Sequence, residues 1–177
     1  METRILLAIH AFASPALDRL FWLSHHMGTF RFWAVVASVA IVWSWKRGDR
    51  IEAGLWLGLG LSTWALLEGL KPLVARPRPE LWPRLVPESD FSFPSGHALA
   101  SATLFPLLAH TLARVRPDRA AQAYALAVAL ALFVSFGRLY LGVHWPSDVL
   151  GGWALGATQT AVAYRFVRRR APDVAPP

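Results

Sequence analysis

The chain has 177 residues, of which 55% are apolar and 16% charged, with 9 Trp, 13 Pro, 12 Gly and no Cys. Soluble domains run at roughly 45–50% apolar and about 25% charged residues, so this composition excludes a disordered chain, a disulfide-stapled module and an ordinary water-facing surface. The formal net charge of +7 fits nucleic acid, an acidic membrane surface or an anionic substrate, and the placement of the basic residues decides among them.

At the N-terminus, Ser14-Pro15 reads as an N-cap followed by Pro at the first helical position. From there Leu17, Leu20, Phe21 and Ser24 share one helical face, while Asp18, Arg19, His25 and His26 lie largely elsewhere. The first 28 residues therefore read as an amphipathic helix on the membrane surface. Two readings compete with it. A span over Ile5 to Met27 would place Asp18 and Arg19 deep in lipid, and a signal peptide ending near Ala11-Phe12-Ala13 conflicts with Glu2.

Crossing a bilayer takes about 20 apolar residues at 1.5 Å rise each. Thr29 to Trp45, Ile51 to Leu70, Ala98 to Ala113, Ala120 to Tyr140 and Ser147 to Phe166 approach or meet this, with their charges near the ends. The expected fold is all-α: a polytopic membrane helical bundle of five transmembrane helices, six if the first segment spans. One membrane-embedded domain over residues 1–170 and a disordered tail over 171–177 complete the expectation. Gly54 with Gly58, and Gly152 with Gly156, fall at helix-packing spacing and read as internal contacts of the bundle.

Five spans put Lys46, Arg47 and Arg50, then Arg114, Arg116 and Arg119, then Arg165 and Arg168 to Arg170 on one membrane face. Excess Lys and Arg in short loops marks the cytoplasmic side, which predicts a cell inner membrane protein with its other face outward. Acidic lipid then accounts for most of the positive charge, and nucleic acid is not needed as a partner.

The opposite, outward face receives three polar segments: Lys71 to Pro79, Phe93 to His97, and Gly137 to Asp148. Lys71, Arg78 and Arg138 offer fixed positive charge, and Arg grips phosphate oxygens bidentately. Pro94-Ser95-Gly96 opens a helix whose first N–H groups can face an anion. His144 is a candidate nucleophile with Asp148 to hold its second ring nitrogen, and His97 a candidate general acid. Each piece has a plainer explanation. Asp148 suits a helix N-terminus, Ser95 an ordinary N-cap, Lys71 an ion pair with Glu68, and Arg138 a headgroup anchor. Their concentration on one face favours a site. His10, His25, His26 and His110 lack such company and read as interfacial or packing residues, while Arg76 and Arg84 add general positive potential.

These segments resemble the signature motifs of the phosphatidic-acid-phosphatase type 2 superfamily of lipid phosphatases: K-x6-R-P, P-S-G-H and S-R-x5-H-x3-D. Lys71 with Arg78-Pro79, Pro94 to His97, and Arg138, His144 and Asp148 match in order and spacing. The departure is Gly137, where the family usually has Ser. The resemblance implies that His144 attacks phosphorus to form a phosphohistidine, that Asp148 orients it and that His97 protonates the leaving group. It also implies that Lys71, Arg78, Ser95, Gly96 and Arg138 hold the phosphoryl oxygens, with no metal or other cofactor. The implied substrate is a membrane lipid phosphate or diphosphate, undecaprenyl diphosphate ahead of phosphatidylglycerol phosphate or phosphatidic acid. Competing readings are an anion transporter, a metal-dependent phosphatase using Glu80, Glu88 and Asp90, and a catalytically silent lipid-phosphate binder. Charges crowded at one face, too few carboxylates, and the intact His97, His144 and Asp148 argue against them in turn.

Overall fold

The computed structural model describes residues 1–170, so the expected tail over 171–177 lies outside the described residues. Every described element is helical: α1 (Glu2–His10), α2 (Pro15–Met27), α3 (Phe30–Lys46), α4 (Arg50–Val74), α5 (Gly96–Val115), α6 (Ala120–Tyr140) and α7 (Pro146–Arg170), with a short 3-10 turn at Pro117–Arg119. By length and apolar content α4, α5 and α6 can each cross a membrane, and α2 with α3 qualifies as a pair bent by 48°. The chain is an integral membrane protein: Val35, Val39, Leu57, Leu61, Leu126 and Leu132 stay more than half exposed on its flanks, where lipid rather than water is the favourable contact.

Helix α7 has the length but not the unbroken apolarity of a span, and its packing shows why. Gln159 donates to Thr63 at 2.8 Å and to Thr103 at 2.7 Å, and accepts from Ser62 at 2.7 Å, while Trp153 donates to Ser135 at 2.8 Å. Gln159 and Trp153 thus point into the bundle and find their partners there, as buried polar groups require.

Helix α5 is the central element, packed on α4, α6 and α7. Trp56, Leu59, Leu104, Leu107, Val134 and Tyr164 form the core around it. Gly152 and Gly156 make the α5–α7 contact possible, because a Cβ on Gly152 would stand 2.8 Å from the Ser95 carbonyl oxygen and one on Gly156 3.0 Å from that of Leu99. The Gly54–Gly58 pair behaves differently. A Cβ at either position meets nothing within 4 Å, and both glycines line a groove between α4 and α7, so the expectation of internal packing fails for this pair.

The N-terminal residues form two helices joined by a turn. Ser14 caps α2 by accepting from the Leu17 N–H at 3.4 Å, with Pro15 next, as the sequence predicts. Tyr140 then ties α2 to the end of α6 by donating to Asp18 at 2.7 Å. At the far end of the bundle Arg114 joins α5 to the start of α4 through Asp49 at 2.5 Å and the buried Glu52 at 3.1 Å. The C-terminal ends of α4 and α6 and the N-terminal ends of α5 and α7 lie at the other end, where the three polar segments meet.

Candidate active site

The residues singled out from sequence converge. Lys71, Arg78, Gly96, His97 and His144 line one cavity of about 680 Å³ together with His25, Glu68, Glu88 and Asp90, and α3 and α4 give it an apolar wall that includes Trp33, Ile41, Leu61 and Trp64. Arg138, His144 and Asp148 are fully or almost fully buried at its polar end.

His144 sits in the turn between α6 and α7. Arg78 donates from Nη1 to its Nε2 at 3.0 Å and to the Val143 carbonyl at 2.8 Å. Guanidinium carries only donors, so Nε2 is an acceptor and the neutral ring carries its proton on Nδ1. That Nδ1 stands 3.5 Å from Asp148 Oδ2. Burial, with the Arg138, Arg78 and Lys71 cations added, holds His144 well below the ordinary imidazole value. The ring is neutral, and its Nε2 lone pair is held by Arg78, which lines the same cavity.

Asp148 is held from several directions. Its Oδ2 accepts from the Trp145 N–H at 2.8 Å, the reach-back of a carboxylate at the third position of α7. Its Oδ1 accepts from Arg76 at 2.6 Å, and Arg76 also pairs with Glu2 of α1 at 2.7 Å. Glu2 in turn accepts from the Ser147 N–H at 2.9 Å. Arg76, read from sequence as background charge, is thus a direct partner of the aspartate.

The Pro94–His97 segment contributes less uniformly than expected. The Ser95 hydroxyl accepts from the Ala98 N–H at 3.4 Å as the N-cap of α5, and the Ser95 N–H donates to the Asp148 carbonyl at 3.0 Å. Ser95 is fully buried in these roles. Gly96 and His97 line the cavity, and their N–H groups are the first in α5, which the helix itself leaves unpaired.

Three further groups were not legible in the sequence. Glu88 and Asp90, in the loop between α4 and α5, sit on the cations: Asp90 pairs with Lys71 and Arg78, and Glu88 with Arg138 and, at 3.3 Å, with Arg78. Lys71 therefore does not pair with Glu68. Burial pushes the Asp90 carboxyl up, but Lys71 and Arg78 outweigh it and hold the group below its ordinary value. The third group is His25, contrary to the reading of it as a bystander. Its Nδ1 lies 2.8 Å from Arg138 Nη1, its ring stacks on His97 at 5.1 Å between centroids, and its carbonyl accepts from His97 Nε2 at 3.0 Å. His10, by contrast, stacks on Trp82 at 4.0 Å, and His110 packs against Tyr124 and Tyr164.

Gly137 is accounted for by the same helix. A Cβ there would fall 2.1 Å from the hydroxyl of Ser24, which is fully buried and donates to the Phe21 carbonyl at 2.7 Å. The space a Ser side chain would take on α6 is filled by a Ser side chain from α2.

The comparisons with known proteins agree with this geometry. The chain is 43% identical over 90 residues to phosphatidylglycerophosphatase B of Bacillus subtilis, 49% of this chain and 44% of that protein. It is 44% identical over 69 residues to undecaprenyl-diphosphatase of Sulfolobus acidocaldarius, 39% of this chain and 30% of that one. These alignments thus span less than half the length of those relatives. Decaprenylphosphoryl-5-phosphoribose phosphatase of Mycobacterium tuberculosis aligns at 34% identity over 91% of this chain and 88% of its own length. Among solved structures, the transmembrane PAP2-type phosphatidylglycerolphosphate phosphatase of Bacillus subtilis superimposes with a TM-score of 0.86 at 30% identity, covering 95% of this chain and 85% of that one. LpxE of Aquifex aeolicus shares the fold, with a TM-score of 0.71 at 22% identity over 93% of this chain and 94% of its own. The model of the PAP2 superfamily matches residues 52–172, which hold all three polar segments, and the chain belongs to that superfamily.

Proposed function

We propose that the chain is a membrane lipid phosphatase that works through a phosphohistidine on His144. The observation that carries the reading is the neutral, buried His144, with Nε2 accepting from Arg78 and Nδ1 toward Asp148, inside a group of three cations that includes the cavity-lining Lys71 and Arg78.

Lys71, Arg78 and Arg138 hold the phosphoryl oxygens, joined by the N–H groups of Gly96 and His97 at the start of α5. Arg138 Nε is buried without a partner and adds a donor. The bound phosphoryl group takes Arg78 from His144, the freed Nε2 lone pair attacks phosphorus, the bond to the bridging oxygen breaks, and that oxygen takes a proton from His97, whose charged form the negative charge of the phosphate favours. Water then attacks the phosphoryl group, His97 takes its proton, the N–P bond breaks and inorganic phosphate leaves. Fixed cations neutralise charge in the transition state, the task a metal ion performs elsewhere. Among the described residues no group of His, Asp and Glu is arranged to hold one.

The apolar walls of the cavity suit a substrate whose tail stays in lipid. The placement of basic residues at the opposite end of the bundle supports an active site on the outer face of the inner membrane. A polyprenyl diphosphate such as undecaprenyl diphosphate is the first substrate reading, its polyprenyl tail supported by the long alignment with a decaprenylphosphoryl-5-phosphoribose phosphatase and its diphosphate by the shorter one with an undecaprenyl-diphosphatase. Phosphatidylglycerol phosphate is the second, supported by the TM-score of 0.86. Phosphate release from both, and from phosphatidic acid, by purified protein in detergent with chelator present tests the reading. Turnover by the natural chain and none by His144→Ala is expected. No turnover on the whole panel, or turnover undiminished in His144→Ala, overturns it.

A further inference from the structure

We infer that His25 is a specificity-determining residue, whose Nε2–H binds the polar group next to the leaving oxygen and so favours a diphosphate over a simple monoester. The inference rests on the lipid phosphatase reading and deepens it.

The tautomer follows from Arg138. Because guanidinium can only donate, His25 Nδ1 accepts at 2.8 Å and the neutral ring's proton lies on Nε2. Among the described residues Nε2 has no hydrogen-bond partner, and the ring lines the cavity with its side chain 17% exposed. A fixed donor on the cavity wall is therefore available to a ligand.

The position of that donor follows from His97. The proton His97 would give to the leaving oxygen is on Nε2, and that Nε2 now donates to the His25 carbonyl at 3.0 Å. A leaving oxygen within hydrogen-bond reach of the same atom lies beside His25, whose ring stacks on His97 at 5.1 Å. The atom bonded to that oxygen is carbon in a monoester and phosphorus in a diphosphate. Only the second places anionic oxygens at the His25 donor, with Arg138 immediately behind it.

The backbone is built to keep α2 there. A Cβ on Gly28 would stand 2.1 Å from His97 Cδ2, so the bend between α2 and α3 can close against His97 only with glycine at that position. Fixed placement of a donor is what converts a hydrogen bond into discrimination between substrates.

The test compares initial phosphate release from farnesyl diphosphate and farnesyl monophosphate, which share one tail, by the full chain in detergent. His25→Ala should lower kcat/KM for the diphosphate about tenfold or more and for the monophosphate less than about threefold, the size expected for one lost hydrogen bond to an anion. His25→Gln, which returns an N–H near the Nε2 position, should recover most of the diphosphate rate, and His25→Phe, which keeps the stacked ring, should not. Equal losses on the two substrates, or none on either, would overturn the inference and leave His25 as a support for Arg138. Absence of turnover by the natural chain on both substrates would overturn the lipid phosphatase reading itself.

Discussion

Arg78 donates to His144 Nε2 at 3.0 Å while its other nitrogen pairs with Asp90, so one guanidinium touches both the proposed nucleophile and the carboxylate facing it. The phosphoryl group that His144 would attack must take the place of Asp90, and of Glu88 on Arg138. The loop between α4 and α5 thus presents internal anions to the cations that the substrate needs.

Removing one internal anion should strengthen binding of an external one. Asp90→Asn should lower the inhibition constant of vanadate or inorganic phosphate about fivefold, as expected when a half-exposed ion pair of about 1 kcal/mol no longer competes. Inhibition titrations on the natural chain and the variant measure this, and weaker inhibition of the variant would show Asp90 to be part of the binding surface instead.

The pH profile should report the shielding of His144. Its ordinary value of 6.5 is lowered by burial and by Arg138, Arg78 and Lys71, so the ring stays neutral as pH falls through that value. Loss of nucleophile by protonation then belongs well below pH 6.5. A kcat/KM profile with an acid limb centred near the ordinary imidazole value would contradict the buried, cation-flanked setting.

Restoring the family's usual residue should do harm. In Gly137→Ser the new Cβ falls 2.1 Å from Ser24 Oγ and 3.3 Å from the Phe21 ring, an overpacking that costs about 1–3 kcal/mol. Thermal unfolding in detergent should show a lower Tm, and the double variant Ser24→Gly with Gly137→Ser should regain part of it.

Arg76 should behave as a positioning residue. It bonds Asp148 at 2.6 Å and is itself held by Glu2 at 2.7 Å. Arg76→Ala should lower kcat by about ten- to a hundredfold with little change in KM, as loss of an orienting partner does, and Glu2→Gln should act in the same direction but less. A rise in KM with kcat unchanged would place Arg76 in substrate binding.

Lys71, His97, Arg138 and Asp148 were legible in the sequence because they lie in the first or last turn of a helix, and Arg78 and His144 because they follow a helix end by four residues, where spacing fixes which end of the bundle they reach. His25 was not. Its arrival depends on the 48° bend between α2 and α3 and on the room that Gly28 leaves for His97, and neither is a matter of periodicity. Glu88 and Asp90 lie in a loop with no repeat to place them. Gly54–Gly58 and Gly152–Gly156 have the same spacing, yet only the second pair meets another helix. Spacing shows that two glycines share a helix face, and the presence of a neighbour on that face is settled by the other helices.

The central claim is that phosphorus is bonded to His144 Nε2 during turnover. Protein mixed with a radiolabelled lipid phosphate, quenched in alkali and digested, should carry label on the peptide containing His144, stable to base and lost in acid, and His144→Ala should carry none. Full turnover with no label on that peptide at any quench time, or label retained in His144→Ala, would contradict the account.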